Sequence, residues 1–259
     1  MALSVLPSQG ELVAMIIYHG MPTGLTVPDD LRVFHGRHLF VSYATGKAKL
    51  ARYVQTAAEV CLDNGAFSYW TSGRSYDFAG YLEWVEAALE FKNVGWAVIP
   101  DLIDGSEDEN DDQIREWPEA FPGVPVWHMH ESLDRLQRLC HTWPRVALGS
   151  SGSVSTPGTP DWWRRLAQAW EVIPTHTRIH GLRMAAEEIV TRVPLSSADS
   201  TTAGRNAHLE AKRREPFKRC KPATMVQAYC ESMETADFAR ALRLPSEASQ
   251  LTFDVRVDG

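Results

Sequence analysis

Apolar residues gather in eight short, nearly continuous runs along the chain. They are Val13–Gly20, His38–Tyr43, Val60–Gly65, Gly95–Asp101, Val124–His130, Arg145–Gly149, Arg178–Met184 and Leu195–Ser200. Runs of this length without strict alternation suit parallel strands covered on both faces. Between them, apolar positions recur every three or four residues, as amphipathic helices require. Tyr76–Lys92 carries Phe78, Tyr81, Leu82, Val85, Ala88 and Leu89 at that spacing, and Asp161–Ile173 carries Trp162, Leu166, Ala169 and Trp170. Ser132–His141, Asp108–Glu119, Lys47–Ala58 and the short Ala185–Arg192 are also read as helices. Eight strands alternating with helices predict an α/β fold, a closed (β/α)8 TIM barrel rather than an open sheet. The first two units are the least regular.

The barrel is expected to occupy residues 1–202, as one catalytic domain. Residues 203–259 break the repeat and are read as an extension packed on the barrel, not an independent domain. That extension begins with Arg205, Lys212, Arg213, Arg214, Lys218, Arg219 and Lys221, opposed up to that point only by Glu210 and Glu215. A helix over Thr224–Leu244 and a short strand-like tail, Leu251–Val257, follow.

Composition narrows the classes. With 259 residues, 44% of them apolar, one full-sized core can be buried. A net charge of −7 excludes coating nucleic acid through overall charge, but not a local basic patch. Four scattered cysteines without a CxxC pair suit a reducing compartment. No apolar run approaches the roughly 20 residues that span a bilayer, and the first residues lack a signal-peptide pattern. The expectation is a soluble cytoplasmic protein (host cytoplasm if phage-encoded) with no membrane partner.

The stretch Pro194–Asn206 (PLSSADSTTAGRN) carries the first chemical signal. Polar groups on a buried strand are costly unless each finds a partner, so Ser-Ser-Ala-Asp belongs in a lined cavity. A Ser/Thr-rich surface turn with Asp199 as a helix N-cap explains this stretch alone equally well. The other strand ends tip the balance. Asp63-Asn64-Gly65-Ala66-Phe67 ends the third strand, Pro100-Asp101 the fourth, His128–Glu131 the fifth, Gly149-Ser150-Ser151-Gly152 the sixth and His180-Gly181 the seventh. Barrel enzymes place their chemistry on the loops after these ends. Asp63, Asp101 and Asp199 are therefore expected to ring one mouth.

From Cys61 to Asn206 these blocks, in this order, resemble the tRNA-guanine transglycosylase superfamily, including its relatives that insert 7-deazaguanines into DNA. Asp63–Phe67 resembles the family's Asp-Ser-Gly-Gly-Phe block, and Ile99-Pro100-Asp101 the strand whose Asp grips the guanine edge. Leu148–Gly152 resembles the segment that offers backbone groups to the base. His180–Met184 resembles the Met-Gly-Val-Gly-type strand before the nucleophile. Asp199 with Gly204-Arg205-Asn206 resembles the nucleophile and its Gly-Arg-Asn run. Two features depart from the family. Its three-Cys, one-His zinc site has no counterpart in Cys220, Cys230 and His208, so neither zinc nor another cofactor is expected. The family's Gln on strand five gives way to the His128–Glu131 segment.

The resemblance implies exchange of guanine for a 7-deazaguanine of the preQ0 type, with DNA as the acceptor and tRNA as the alternative. Asp199 would be the nucleophile, Asp63 the proton shuttle, and Asp101 the acceptor for guanine N1–H and the 2-amino group. Gly149, Ser150, Asn64 and His128 would complete the base site. Phe67 and Met184, together with Tyr69 and Trp70, are candidates to sandwich the base, although core packing explains such side chains as well. Arg205, Lys212, Arg213, Arg214, Lys218 and Arg219 would hold phosphates flanking a flipped nucleotide. Two rival readings stay open. His128 and His130, two apart on a strand and so on one face, would with His180 and Asp199 make a zinc hydrolase site. Alternatively, the chain is a non-catalytic, transglycosylase-like subunit of an active partner. The basic cluster yields a direct test. Neutralising Lys212, Arg213 and Arg214 together is expected to weaken polynucleotide binding and to flatten the slope of log K against log salt, by about 0.7–0.9 for each phosphate no longer neutralised.

Overall fold

The computed structural model describes residues 15–21, 25–46, 49–200 and 221–243. Nine strands, all paired in parallel, form one sheet in the order β5-β4-β3-β2-β1-β9-β8-β7-β6. They are β1 (Ile16–Gly20), β2 (His38–Ser42), β3 (Glu59–Asp63), β4 (Val94–Val98), β5 (Gly123–Val124), β6 (Val126–His128), β7 (Arg145–Gly149), β8 (Arg178–Gly181) and β9 (Ser197–Ser200). The two ends of that order, β5 and β6, are halves of one strand separated only by Pro125. Before the proline the strand bonds to β4, with Val124 O accepting from Ile99 N at 2.9 Å. At the proline it turns to β7, with Pro125 O accepting from Ala147 N at 2.9 Å. Proline has no N–H to contribute to a ladder, so the change of partner falls where no donor is lost. The sheet thus closes on itself with eight staves, the barrel expected from the apolar runs.

Side chains alternate across each strand. Tyr18, Phe40, Cys61, Trp96, Val98, Val124, Val126 and Ala147 fill the interior. The ring of His180 packs among them, 5.9 Å from Tyr18, 5.3 Å from Phe40 and 4.9 Å from Trp96. Two larger clusters, one around Trp127, Leu148 and Trp162 and one around Leu39, Tyr81 and Trp84, bind the outer face to the helices.

The helices show where local chemistry overrides periodicity. Helix α1 (Val27–Phe34) was not foreseen; it starts at Thr26, whose side chain accepts from Asp29 N, with Pro28 in the first turn. A one-turn helix, α2 (Tyr43–Gly46), follows β2 directly, and another, α3 (Leu50–Tyr53), stands where Lys47–Ala58 predicts a longer one. Helix α4 (Ala66–Ser72) arises from residues expected to be loop. Helices α5 (Phe78–Leu89), α6 (Glu107–Glu116), α7 (Leu133–Thr142) and α8 (Pro160–Val172) follow the sequence pattern. The acidic start of α6 carries a capping box, Ser106 with Glu109. Helix α9 shrinks to Glu187–Val190.

Helix α10 (Pro222–Arg243) packs against α1, α9 and β1. The expected strand Leu251–Val257 and residues 203–220 lie outside the described residues. Among the described residues no helix is long and apolar enough to cross a membrane.

One buried polar knot ties the end of strand five to the helices. Arg135, on α7, meets Glu131 at 2.6 Å, Asp111 at 2.8 Å and Val126 O at 2.9 Å. Glu131 in turn accepts from His128 N at 2.8 Å and from the Asn110 amide at 3.2 Å. Removing one member of a buried pair strands the other charge. Arg135→Ala is therefore expected to lower the unfolding free energy by about 3–5 kcal/mol, read as a fall in the urea midpoint. The double change Glu131→Leu with Arg135→Met should recover part of that loss.

Candidate active site

At the C-terminal ends of the strands lies a cavity of about 200 Å³. That exceeds the roughly 150 Å³ known to admit a benzene ring. Asp63, Asp101 and Asp199 all line it.

Asp63 ends β3, beside Ser42 in the register of β2. Its Oδ1 accepts from Gly65 N at 3.2 Å, while Asn64 Oδ1 accepts from Ala66 N at 2.8 Å. Gly65 bends the chain into α4 at φ 76°, and a Cβ there would lie 2.8 Å from Ala44 Cβ, so only glycine makes this turn. Burial drives the Asp63 pKa up to about 6; Asp199 and Asp101 push the same way, against the Ser42 hydroxyl and the Gly65 amide.

Asp101 follows β4 and is braced on both oxygens. Asn64 Nδ2 donates to Oδ1 at 2.7 Å, and His128 Nε2 stands 2.9 Å from Oδ2. The His128 contact is a close charge pair rather than an aligned hydrogen bond. Burial opposes the imidazolium, but the Asp101 carboxylate outweighs it and holds the His128 pKa above its usual value. Gly149 makes room for this ring, since a Cβ there would lie 3.2 Å from His128 Nδ1.

Asp199, on β9, is buried. Its Oδ1 accepts from Arg183 N at 2.7 Å and lies 3.5 Å from His180 Nε2. Burial holds His180 below its ordinary pKa against the pull of Asp199; Ser197 Oγ contacts its Nδ1 at 2.9 Å.

Gly149, Ser150, Phe67, Asn64 and His128 line the cavity as expected. Asn64, however, has both amide hydrogens spent, on Ile99 O at 2.9 Å and on Asp101, so it positions Asp101 rather than offering donors to a ligand. Ser150 Oγ accepts from Trp162 Nε1 at 2.9 Å.

Three expected stacking partners are elsewhere. Met184 is fully buried in the outer core, turned there by the bend after β8, and packs over Gly181. Tyr69 stacks on Tyr43 and meets Tyr76 edge-on, and the Trp70 indole donates to Asp104 at 2.7 Å. Arg205, Lys212, Arg213, Arg214, Lys218 and Arg219 lie outside the described residues.

Ser42, Lys49, Leu182 and Arg183 also line the cavity and were not foreseen. Arg183 has a positive φ of 57°, a conformation costing about 1–2 kcal/mol for a residue with a Cβ. Its guanidinium lies 3.8 Å from the centroid of the exposed Phe67 ring at the cavity edge. The sequence signal was the Arg standing where the resemblance expects a glycine-rich strand.

The histidine-based metal arrangement does not assemble. Among the described residues no three His, Cys, Asp or Glu side chains gather to hold an ion. His128 pairs with Asp101, His180 with Asp199, and exposed His130 turns to Ser151 at 2.7 Å. Of the residues weighed against the family's zinc set, Cys230 is buried on α10, while Cys220 and His208 lie outside the described residues.

No protein-family model matches the chain, and no curated protein matches it. Solved structures similar to it include the tryptophan synthase α-subunit of Pyrococcus furiosus. That likeness has 11% identity over 90% of this chain and 99% of that one, with a TM-score of 0.49. Tryptophan synthase from M. tuberculosis is 14% identical over 90% and 94% of the two chains, with a TM-score of 0.45. Likeness this distant carries no functional argument; the barrel rests on its own strand order.

The raised pKa of Asp63 makes a stability prediction. The folded protein keeps this proton to a higher pH than the unfolded chain, whose carboxyl titrates near 4. Stability contributed by the group therefore falls as pH rises from about 4 to about 6, and the penalty is complete above that. At ~1.4 kcal/mol per pKa unit, and allowing for cavity water that screens the charge, Asp63→Asn should stabilise the fold by about 1–2 kcal/mol at pH 7.5. Denaturant melts at pH 4 should show that gain gone.

Proposed function

We propose that the chain is a guanine transglycosylase, a glycosyltransferase that exchanges guanine for a 7-deazaguanine base in a nucleic acid, with DNA as the acceptor. The observation that carries this reading is three carboxylates on one cavity in three different environments, the separation that acid, nucleophile and recognition roles require. Retention at C1′ needs two displacements, and so a carboxylate nucleophile with an acid–base group beside it.

In the first step an Asp199 oxygen attacks C1′ while the C1′–N9 bond breaks. Its electron pair leaves with guanine, and Asp63, as the acid, hands its proton to the departing base. The product is a glycosyl ester on Asp199. In the second step the incoming deazaguanine gives its N9 proton to the Asp63 carboxylate and N9 attacks C1′. The ester bond breaks and the Asp199 carboxylate is restored. A pKa of about 6 equips Asp63 for both directions of transfer. The Arg183 amide, donating to Oδ1, keeps the Asp199 carboxyl aimed.

Asp101 discriminates the base. A carboxylate offers about four lone-pair positions, of which Asn64 and His128 take two, leaving room for guanine N1–H and its 2-amino group. Adenine presents neither donor and would leave Asp101 short of partners, at a cost of about 1–3 kcal/mol, or ten- to a hundredfold in selectivity.

Mass spectrometry of nucleosides from DNA and from tRNA, each incubated with the protein and a set of 7-deazaguanines, tests the activity and separates the two acceptors. Asp199→Ala is expected to abolish both exchange and a trapped covalent adduct; normal exchange by that variant would remove Asp199 from its role. Adduct formation by the unaltered enzyme should decline as pH rises through about 6, where Asp63 loses the proton it donates.

A further inference from the structure

From the cavity rim we infer that Arg183 and Lys49 form an anion subsite for the phosphate ester attached to the sugar whose base enters the cavity, an inference that rests on the base-exchange reading. Both side chains line the cavity. Arg183 makes no ion pair among the described residues, although three carboxylates share its cavity. Among the described residues Lys49 makes no ion pair and attracts Asp30 through space. The guanidinium instead lies against the Phe67 face, which fixes its plane and leaves its N–H edge for another partner.

The backbone at Arg183 strengthens the case. Its amide is fixed on Asp199, and the residue adopts a left-handed φ of 57°. Glycine fills such a turn without strain, yet arginine stands here, and strain of this kind concentrates where a ligand is gripped. Electrostatics supplies the reason. A phosphodiester brought to a rim above Asp63, Asp101 and Asp199 meets like charge well inside one Debye length, about 8 Å at physiological salt. Cations at the rim offset that repulsion without neutralising the carboxylates below. A phosphate ester can come from a strand or from a free mononucleotide, and the probes below separate them.

Binding of a guanine-containing single-stranded oligodeoxynucleotide, of deoxyguanosine monophosphate and of free guanine would be measured across a salt series. The intact chain would be compared with Arg183→Gly and Lys49→Gln. Arg183→Gly relieves the strained turn while removing the charge, so its melting temperature should hold or rise. Each variant should bind the oligonucleotide about tenfold more weakly, with the salt slope flattened by about 0.7, while free guanine binds as before. A matching loss on the mononucleotide assigns the contact to the phosphate of the bound nucleotide itself; a loss on the oligonucleotide alone assigns it to the strand. An unchanged salt slope, an equal loss of guanine binding, or no binding of either phosphorylated probe by the intact chain overturns the subsite. Strand binding with these losses but without base exchange would sink the transglycosylase reading and leave the subsite standing.

Discussion

Closure of the sheet at Pro125 is the constraint on which the site depends. An open parallel sheet of the same strands would spread their ends along an edge. Splitting the fifth strand between β4 and β7 bends that edge into a ring, so the residues after β3, β4, β6, β7 and β9 face one another. Asp63, Asp101 and Asp199 are far apart in sequence and meet only because the ring is complete. The buried pairing of Arg135 with Glu131 then sets the last turn of the fifth strand, and with it the His128 ring.

Once gathered, the carboxylates cannot share one environment. Like charges in a partly dry cavity raise one another's cost, and each is relieved differently. Asp101 has an amide and an imidazole at its oxygens, and Asp199 has a main-chain N–H. Asp63 has the Ser42 hydroxyl and the Gly65 amide, and burial, with the neighbouring charges adding to it, still raises its pKa. The asymmetry comes from neighbours one or two residues from the strand ends, not from the acids themselves.

The sequence disclosed the staves because near-continuous apolar runs suit parallel strands covered on both faces, and it disclosed the acids because each interrupts or follows such a run at the end where barrels carry their polar side chains. It concealed what depends on turn geometry. Helix α4 looked like loop because its start is a left-handed glycine braced by Asp63 and Asn64, not an apolar stripe. Met184 looked like a lining residue because a strand was expected to run to it, whereas β8 stops at Gly181 and the bend sends its side chain into the core. Ser42 and Lys49 join the cavity through register and through the turns after β2, which no local pattern encodes. Helix α1 hid because its cap and first-turn proline precede only one turn of apolar residues.

The packed barrel axis has a kinetic corollary. Phe40 forms part of the cavity wall, and beneath it Tyr18, Trp96 and His180 interlock edge-to-face. Among the described residues the chamber is thus closed along the axis by these rings. For a base-exchange enzyme, one flat heterocycle has to back out before its replacement comes in. Under that reading the sugar would meanwhile wait on the protein, and the two bases would compete for the same empty seat rather than pass through in single file.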